Sequence, residues 1–342
     1  MIVSFYDKNF KGLQQNASLT VDKQSYSLVK RPVDINTLSC KCEAFTEDIQ
    51  PTFLIIKDDR GGYIYGSLAG IPVLNSQNIT EVTGTDLKTM LSSDVLLTPG
   101  SYPTVNSYII YVFEQWKSQV NKGTIPVELV FKDYIGTDTN TPMGDYKPAT
   151  DTAVYNAWEE IQSYLKYYNL YMETFIDLIN KKVQFIIGRT MYRQLNIKLW
   201  EYGIKNYSKW IASVNETVGY YVNEDSNYWQ VGSTWILTSG NNITTDSAKR
   251  DIYPVKRKIF TSTKSLREAE TQALSELLDA MYNEELTLPT TDINPDFETK
   301  FSIYLKRGAD KYKDLPCGEL HYDASGLIKC QIGYRFTGAE FI

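Results

Sequence analysis

Histidine is almost missing from this sequence, which has one, His321, among 342 residues. Histidine changes charge near neutral pH, so it is the commonest general base and metal ligand in enzymes. Its scarcity removes the usual parts of most hydrolytic sites and favours a chain that binds other proteins over one that transforms a substrate. Enzymes that use only carboxylates need no histidine, so its scarcity does not exclude them.

Cysteines and long apolar runs are also scarce, and the net charge is negative rather than positive. The four cysteines, Cys40, Cys42, Cys317 and Cys330, fit neither a zinc ribbon nor a dense disulfide frame, so we expect reduced, partly buried thiols. No apolar stretch reaches the roughly 18 residues that a membrane span needs, and the start lacks the layout of an export signal. We expect a soluble chain made in the cytoplasm. The net charge of -6 disfavours binding to nucleic acid through its phosphates.

The common catalytic motifs are absent as well. There is no phosphate-binding glycine loop, no serine elbow and no His-Glu-x-x-His helix. A serine triad has only His321 available, with Asp323 and Ser325 nearby, and proximity in sequence is no evidence for one. Residues 292–296 resemble the start of a calcium loop, but Phe297 and Ile303 occupy positions that need glycine and a carboxylate. We predict no catalytic, cofactor-binding or metal-binding residues, no cofactor, and no enzyme activity.

Aromatic residues are abundant, with 26 Tyr, 13 Phe and 6 Trp in a chain that is 42% hydrophobic and 22% charged. This composition provides enough apolar area for real cores and excludes a disordered chain. Tyrosine suits strands and protein interfaces, because its ring is apolar and its hydroxyl is polar. The length predicts two or three packed units.

The first hundred residues predict short strands separated by Asp, Asn, Gly and Pro. These strands cover residues 2–6, 25–30, 38–45 and 53–57. Residues 53–66 predict a hairpin whose turn is residues 58–62. Residues 83–91 predict a turn that opens a short helix, capped by Thr85 or Asp86.

Apolar residues recur with a helical period from residue 105 to 120, which predicts an amphipathic helix that Gly123 and Pro126 end. A polar stretch at 136–150 separates it from a second helix, which carries an apolar stripe from residue 154 to 168. Beyond this helix, residues 170–178 and 183–187 predict a hairpin, and one long continuous helix is the alternative.

The last part of the chain predicts strands at 198–202, 217–222, 228–231 and 234–237. Ser265 and Glu268 form a capping-box pattern that opens a helix ending near Tyr282 or Asn283. Residues 297–342 return to strands, with a loop at 312–318.

These segments predict an α+β, β-rich multidomain fold with two barrel-like β domains and interposed helix-hairpin α/β elements. Four units are expected: 1–100, an N-terminal β-barrel-like domain; 101–190, an α/β domain of two helices and a hairpin; 191–262, a second β domain; and 263–342, a helix and C-terminal strands that pack on the preceding domains.

Three stretches, residues 81–97, 156–188 and the helix 265–282 with the strands after it, resemble the tail hub proteins of long-tailed phages. This family includes the amino-terminal structural region of siphophage tail-associated lysins and the baseplate hub of contractile tails. No catalytic residue is carried over, because the matching part of the family is structural.

The resemblance implies a homotrimer that closes the tail tube of a phage or tailocin and presents a pseudo-sixfold surface to it. Its implied partners are the tail tube and distal tail proteins, the tape-measure protein, and a spike or receptor-binding protein, with DNA only in transit. It would lie at the virion tail tip after assembly in the bacterial host cytoplasm. Two alternatives stay open: a carboxylate-based hydrolase of cell-wall glycans, and a receptor- or glycan-binding module in which the aromatic unit 195–260 stacks on sugars.

Overall fold

The fold was analysed in a computed structural model of the chain. It describes residues 1–13, 19–43, 51–74, 77, 79–133, 148, 152–202, 207–209, 214–223, 228–240, 242–281, 284–290, 295–308, 310–311, 313–323 and 328–333. Strands make up 49% and helices 20% of the structure, in several sheets, which confirms the α+β, β-rich class. The polar stretch expected at 136–150 lies, apart from residue 148, outside the described residues.

The described strands are, in chain order, β1 (Ile2–Tyr6), β2 (Leu19–Lys30), β3 (Thr37–Glu43), β4 (Phe53–Lys57), β5 (Tyr63–Ala69), β6 (Val73–Leu74), β7 (Ile79–Thr85), β8 (Asp94–Leu97), β9 (Val127–Phe131), β10 (Ala153–Asn156), β11 (Leu170–Asp177), β12 (Lys182–Arg189), β13 (Arg193–Lys198), β14 (Tyr207–Lys209), β15 (Glu216–Asn223), β16 (Tyr228–Leu237), β17 (Ile243–Thr244), β18 (Arg257–Ser262), β19 (Glu284–Thr290), β20 (Thr299–Tyr304), β21 (Lys313–Asp323) and β22 (Ile328–Ile332). The helices are α1 (Val105–Trp116), α2 (Ala157–Tyr167), α3 (Leu199–Tyr202) and α4 (Leu266–Met281), with 3₁₀ turns at Leu87–Leu91 and Ser247–Lys249 and a π turn at Lys117–Asn121.

The first barrel is a closed ring of six strands in the order β1-β4-β5-β7-β3-β2, because β1 also pairs with β2. Every neighbouring pair is antiparallel. Strand β3 shows how the sequence builds it: Leu38, Cys40 and Cys42 are buried and alternate with exposed residues. A side-chain period of two places these three residues on the face that lines the barrel core.

Strand β4 is buried on both faces, which explains its uninterrupted apolar sequence. Leu54 and Ile56 belong to the barrel core, whereas Phe53 and Ile55 belong to the core of the helical layer outside it. The hairpin predicted here is confirmed, since β4 pairs with β5. In its turn the Asp58 carboxylate accepts hydrogen bonds from the backbone N–H groups of residues 60 and 62, at 2.8 and 2.7 Å.

The helical layer packs α1 and α2 against the sheet β11-β12-β9. Thr104 caps α1 in a capping box with Ser107, and Asn156 caps α2 through the N–H groups of its first turn. The chain leaves α2 at Asn169, whose φ of 54° is left-handed and ends the helix. The predicted helix followed by a hairpin is therefore confirmed, and the alternative of one long helix is wrong. Val154, which was expected on the helix, lies in β10 instead.

The second barrel-like unit has the strand order β13-β20-β21-β22-β19-β14, and β13 runs parallel to β20. Its core contains Phe301, Ile303, Cys317 and Cys330, all buried. The loop predicted at 312–318 is wrong, because Lys313–Asp323 is one strand.

The turn-forming residues that suggested that loop are used inside the strand instead. Gly318 lies where the register between β21 and β22 shifts, and a Cβ there would come within 1.7 Å of the Gly333 carbonyl oxygen. The strand predicted at 198–202 is also wrong, since β13 ends at Lys198 and α3 follows it. The pairing of β13 with β20 joins strands from two of the expected units, 191–262 and 263–342. The division into domains stays a prediction.

Between the strands of the second barrel lies an inserted unit, in which the sheet β17-β16-β15-β18 packs one face against α4. The approach is close: a Cβ on Gly219 would lie 2.6 Å from the backbone of Ala269, and the Thr217 hydroxyl donates to the Ala273 carbonyl at 2.7 Å. The strands predicted at 217–222, 228–231 and 234–237 are confirmed, the last two as one strand.

The capping box predicted at the start of α4 is half formed. The Ser265 hydroxyl accepts from the Glu268 N–H at 3.1 Å. The Glu268 carboxylate accepts from the Ser262 hydroxyl rather than reaching back to the cap, so it ties the helix to β18.

Candidate functional site at the junction of the two barrels

His321 lies near the end of β21, opposite Val29 of β2. Its Nε2 contacts the Glu319 carboxylate, while the Asp323 carboxylate binds the Lys329 ammonium at 3.0 Å. Ser325, the third residue weighed for a triad, lies outside the described residues. The structure therefore does not bring His321 and Asp323 into a triad geometry with each other.

A cleft of about 210 Å³ lies between β8, β10, α2 and α4 and carries four carboxylates: Asp94, Glu159, Glu160 and Glu268. Two of the four already have partners. Glu160 accepts from Arg267 at 3.2 Å and from the Tyr108 hydroxyl at 2.7 Å, and Glu268 binds Ser262 and Lys264. Burial, and then the Glu160 charge, raise the pKa of Tyr108. These bonds tie helices α1, α2 and α4 together, which is a structural use for the acids.

Across the part of the chain that the structure describes, no three His, Cys, Asp or Glu side chains are grouped as metal ligands. The helices in those same ranges are all too short or too polar to cross a membrane.

The two barrels are joined edge to edge by a single strand pair. Strand β2 closes the first barrel and also pairs antiparallel with β21 of the second, over residues 27–30 and 320–323. Leu28 faces Tyr322 in this register, and Tyr322 packs against the cores of both barrels. One continuous sheet therefore runs from the first barrel into the second.

An ion pair lies at the end of this shared strand pair. Arg31, directly after β2, donates to the Glu319 carboxylate of β21 at 2.6 Å and to the Ile35 carbonyl at 2.7 Å. The Glu319 side chain is almost fully buried, and its other oxygen contacts His321. The bond between a buried carboxylate and arginine is charge-assisted and fixes the orientation of both groups.

Lys30 makes the next connection, to the helical layer. Its ammonium binds the Glu173 carboxylate of β11 at 2.8 Å. Burial by itself lowers the pKa of Lys30, but the charge and hydrogen bond of Glu173 outweigh burial, so the pKa is raised. Lys30 is thus held in its charged form at the meeting point of the first barrel, the second barrel and the helical layer.

A fully buried ion pair, Asp86 with Lys88, lies next to this junction, where the first barrel meets the helical layer. Lys88 Nζ lies 3.3 Å from the Asp86 carboxylate and donates to the carbonyl oxygens of residues 31 and 34. Asp86 also accepts from the Asn36 N–H at 2.7 Å and from the Lys88 N–H at 3.1 Å. Burial lowers the pKa of Lys88, and Asp86 offsets part of that effect.

These contacts join the first barrel to the second through Arg31 and Glu319, and to the helical layer through Lys30 and Glu173. Removing one partner of a buried ion pair leaves an uncompensated charge and costs about 3–5 kcal/mol. Of the two predicted helix caps, Thr85 and Asp86, the structure has Asp86. The burial of Lys88 and the contact of Arg31 with Glu319 were missed, because no local pattern links residues that far apart in sequence.

Comparison with solved structures shows what this fold resembles. The chain is similar to the prophage tail protein gp18 from Listeria monocytogenes EGD-e, with a TM-score of 0.54, 10% identity, and coverage of 99% of this chain and 96% of that one. It is also similar to the tail protein from Neisseria meningitidis MC58, with a TM-score of 0.50, 10% identity, and coverage of 97% and 96%. The chain therefore has a phage tail protein fold, which confirms the resemblance at the level of fold. No protein-family model and no curated protein sequence matches it.

Proposed function

We propose that this chain is a structural hub protein at the tail tip of a long-tailed phage or tailocin. Three copies form a ring that closes the tail tube and connects it to the distal tail or baseplate and to a spike. The hub contacts the tail tube, distal tail and tape-measure proteins, and DNA passes through it only in transit. Its role is structural and depends on its shape and symmetry, without enzyme activity. The ring changes from closed to open when the tail contacts the host cell.

The observation that carries this proposal is the pair of barrels fused through β2 and β21. A tail tube with sixfold symmetry needs six similar contact sites on the protein that closes it. Three chains with two barrels each provide six such units, provided that the two barrels of a chain keep one fixed orientation. The β2–β21 strand pair and the Arg31–Glu319 ion pair, which both join the two barrels, support such a fixed orientation.

Two further features support the proposal. The two similar proteins reported above, with TM-scores of 0.54 and 0.50, are tail proteins by name, and the likeness covers almost the whole of each chain. The net charge of -6 suits a ring that lets DNA pass, because a negative protein does not hold phosphates. We also propose that each copy in the ring is divided into the units expected at 1–100, 101–190, 191–262 and 263–342.

Binding to a purified tail tube protein tests the proposal. We expect native mass spectrometry to show that the chain is a trimer and that it binds the tube protein ring in a ratio of three chains to six tube subunits. Bovine serum albumin mixed with the same ring is the control for non-specific binding. A strict monomer that binds neither tube nor distal tail protein would contradict the proposal.

A further inference from the structure

Two thiols of the second barrel lie in contact with each other. The sulfurs of Cys317 and Cys330 are 3.6 Å apart, and both cysteines are free. Cys317 belongs to β21 and Cys330 to β22, which pair antiparallel, and both side chains are fully buried in the barrel core. The hub function makes no use of this pair.

Cys317 lies where β21 changes its partner. Residues 313–316 of β21 pair with β20 of the second barrel, whereas residues 320–323 pair with β2 of the first. Between these two stretches, Gly318 lies at the register shift against β22 and packs tightly on the Gly333 carbonyl. A covalent bond from Cys317 to β22 would therefore hold β21 at the point where it passes from one barrel to the other.

The geometry of the pair suits a disulfide bond. Such a bond is about 2.05 Å long, so each sulfur has to move by less than about 1 Å, a distance that rotation about the Cα–Cβ bonds can supply. Cys40 and Cys42 provide a comparison within the chain, because they are also buried. They lie two residues apart on one face of β3, where successive side chains are separated by roughly 7 Å, too far for a bond in an undistorted strand.

We propose that Cys317 and Cys330 form a redox-sensitive disulfide that staples β21 to β22 and is made by a small peroxide, such as hydrogen peroxide. The thiolate of one cysteine attacks a peroxide oxygen, the O–O bond breaks, and a sulfenic acid and one water form. The second thiol attacks that sulfur, the S–S bond forms, and the sulfenic oxygen leaves as a second water. The pair loses two electrons and two protons, which reduce the peroxide. The inference does not depend on the hub function.

Burial decides which oxidant acts and how fast. A peroxide is small enough to reach a buried pair, whereas a bulky disulfide reagent needs β22 to detach first. Burial and then Cys330 raise the pKa of Cys317, so the reactive thiolate is scarce and the bond forms slowly. The finished bond joins cysteines 13 positions apart and restricts the unfolded chain. It should lower the unfolding equilibrium constant by roughly a hundredfold.

Peptide mapping of the wild-type chain tests the pair without any substitution. The folded chain is treated with hydrogen peroxide at pH 8, its free thiols are alkylated, and it is digested without reductant. We expect one disulfide, between Cys317 and Cys330, and none that includes Cys40 or Cys42. The control is the same treatment in urea above the unfolding transition. The ratio of this link to all other disulfides should be at least tenfold higher in the folded chain.

Three results of the mapping would overturn the proposal. One is a folded chain in which Cys317 and Cys330 are not linked after prolonged treatment. The second is a link between Cys40 and Cys42 in equal yield, because it would show that the contact in the second barrel confers no selectivity. The third is a link that forms only in urea, because the folded arrangement would then play no part.

Unfolding in urea tests whether the bond is a staple. The linked chain should show the hundredfold lower unfolding constant, and dithiothreitol should remove that difference. Methionine oxidation cancels in this comparison, because dithiothreitol does not reverse it. Cys330→Ala should abolish the gain from peroxide, whereas Cys40→Ala, the matched control, should keep it. If Cys330→Ala does not fold, the wild-type comparison still decides. A linked chain that is no more stable than the reduced chain would overturn the staple.

Discussion

The first barrel takes its six ring strands from residues 2–85, whereas the second takes its strands from two distant segments, residues 193–209 and 284–332. The inserted sheet and α4 occupy the chain between those two segments. A barrel made from neighbouring strands closes through short loops, whereas the second barrel must first bring together strands about a hundred residues apart. The comparison shows that one chain builds one barrel by a local route and the other by a non-local route, and it predicts that the second barrel depends on the unit inserted in it.

The largest expected effect comes from truncating the two cores at matched positions. Phe5→Ala in the first barrel and Phe301→Ala in the second each remove a fully buried ring and should lower the free energy of unfolding by about 3–5 kcal/mol. Because β2 pairs with strands of both barrels, we expect one shared transition in urea unfolding followed by circular dichroism.

Ile179→Ala, at an exposed turn, is the control and should change the free energy of unfolding by less than about 0.5 kcal/mol. Two separate unfolding transitions, each shifted by only one of the phenylalanine variants, would show that the barrels are independent.

A substitution at the junction distinguishes coupling from simple proximity. Glu319→Gln removes the charge that Arg31 and His321 contact and should cost about 1.5–3 kcal/mol, the range for hydrogen bonds to charged groups. Hydrogen exchange should increase in β2 and β21 while β1 and β4 keep their protection.

The matched change Glu114→Gln affects an exposed pair with Lys117 and should cost at most about 1 kcal/mol. A uniform increase in exchange over both barrels after Glu319→Gln would contradict a junction that acts locally.

The inserted unit provides the next test of the second barrel's dependence on it. Gly219→Ala would press a methyl group against the α4 backbone, 2.6 Å away, and should destabilise the protein by about 1–3 kcal/mol. Gly232→Ala is the control, because its methyl group would meet the flexible Glu270 side chain and should cost less.

Thermal unfolding measures both glycine variants. If Gly219→Ala leaves the exchange protection of β13 and β20 unchanged, the second barrel does not depend on the packing of the inserted sheet.

The smallest effect is on thiol reactivity, which differs between the barrels. Burial, followed by the neighbouring cysteine or acidic group, raises the pKa of Cys40 to about 12 and of Cys42 to about 11. Burial and then Cys330, whose sulfur lies 3.6 Å away, raise the pKa of Cys317 well above its usual value. Since the thiolate is the reactive form, labelling at pH 8 should reach Cys42 before Cys40, and Cys317 after both, read by mass spectrometry of peptides. Earlier labelling of Cys317 would mean that the second barrel opens more readily than the first.

Sequence reasoning succeeded where structure is local. The strands Ile2–Tyr6 and Phe53–Lys57, the turn after β4, the cap Asp86 and the helix-then-hairpin order at 157–189 all follow from patterns within about twenty residues. It failed where turn-forming residues serve a non-local purpose, as Gly318 does in the bulge of β21. The junction was out of reach for the same reason, because Arg31 and Glu319 are 288 positions apart.

Electron cryo-microscopy of an assembled tail in which this chain carries a label is the decisive test of the hub proposal. We expect label only at the tail tip, with three copies around the axis and their six barrels facing the last ring of the tube. Label elsewhere on the particle, or solitary copies in which the two barrels do not face the tube, would contradict it.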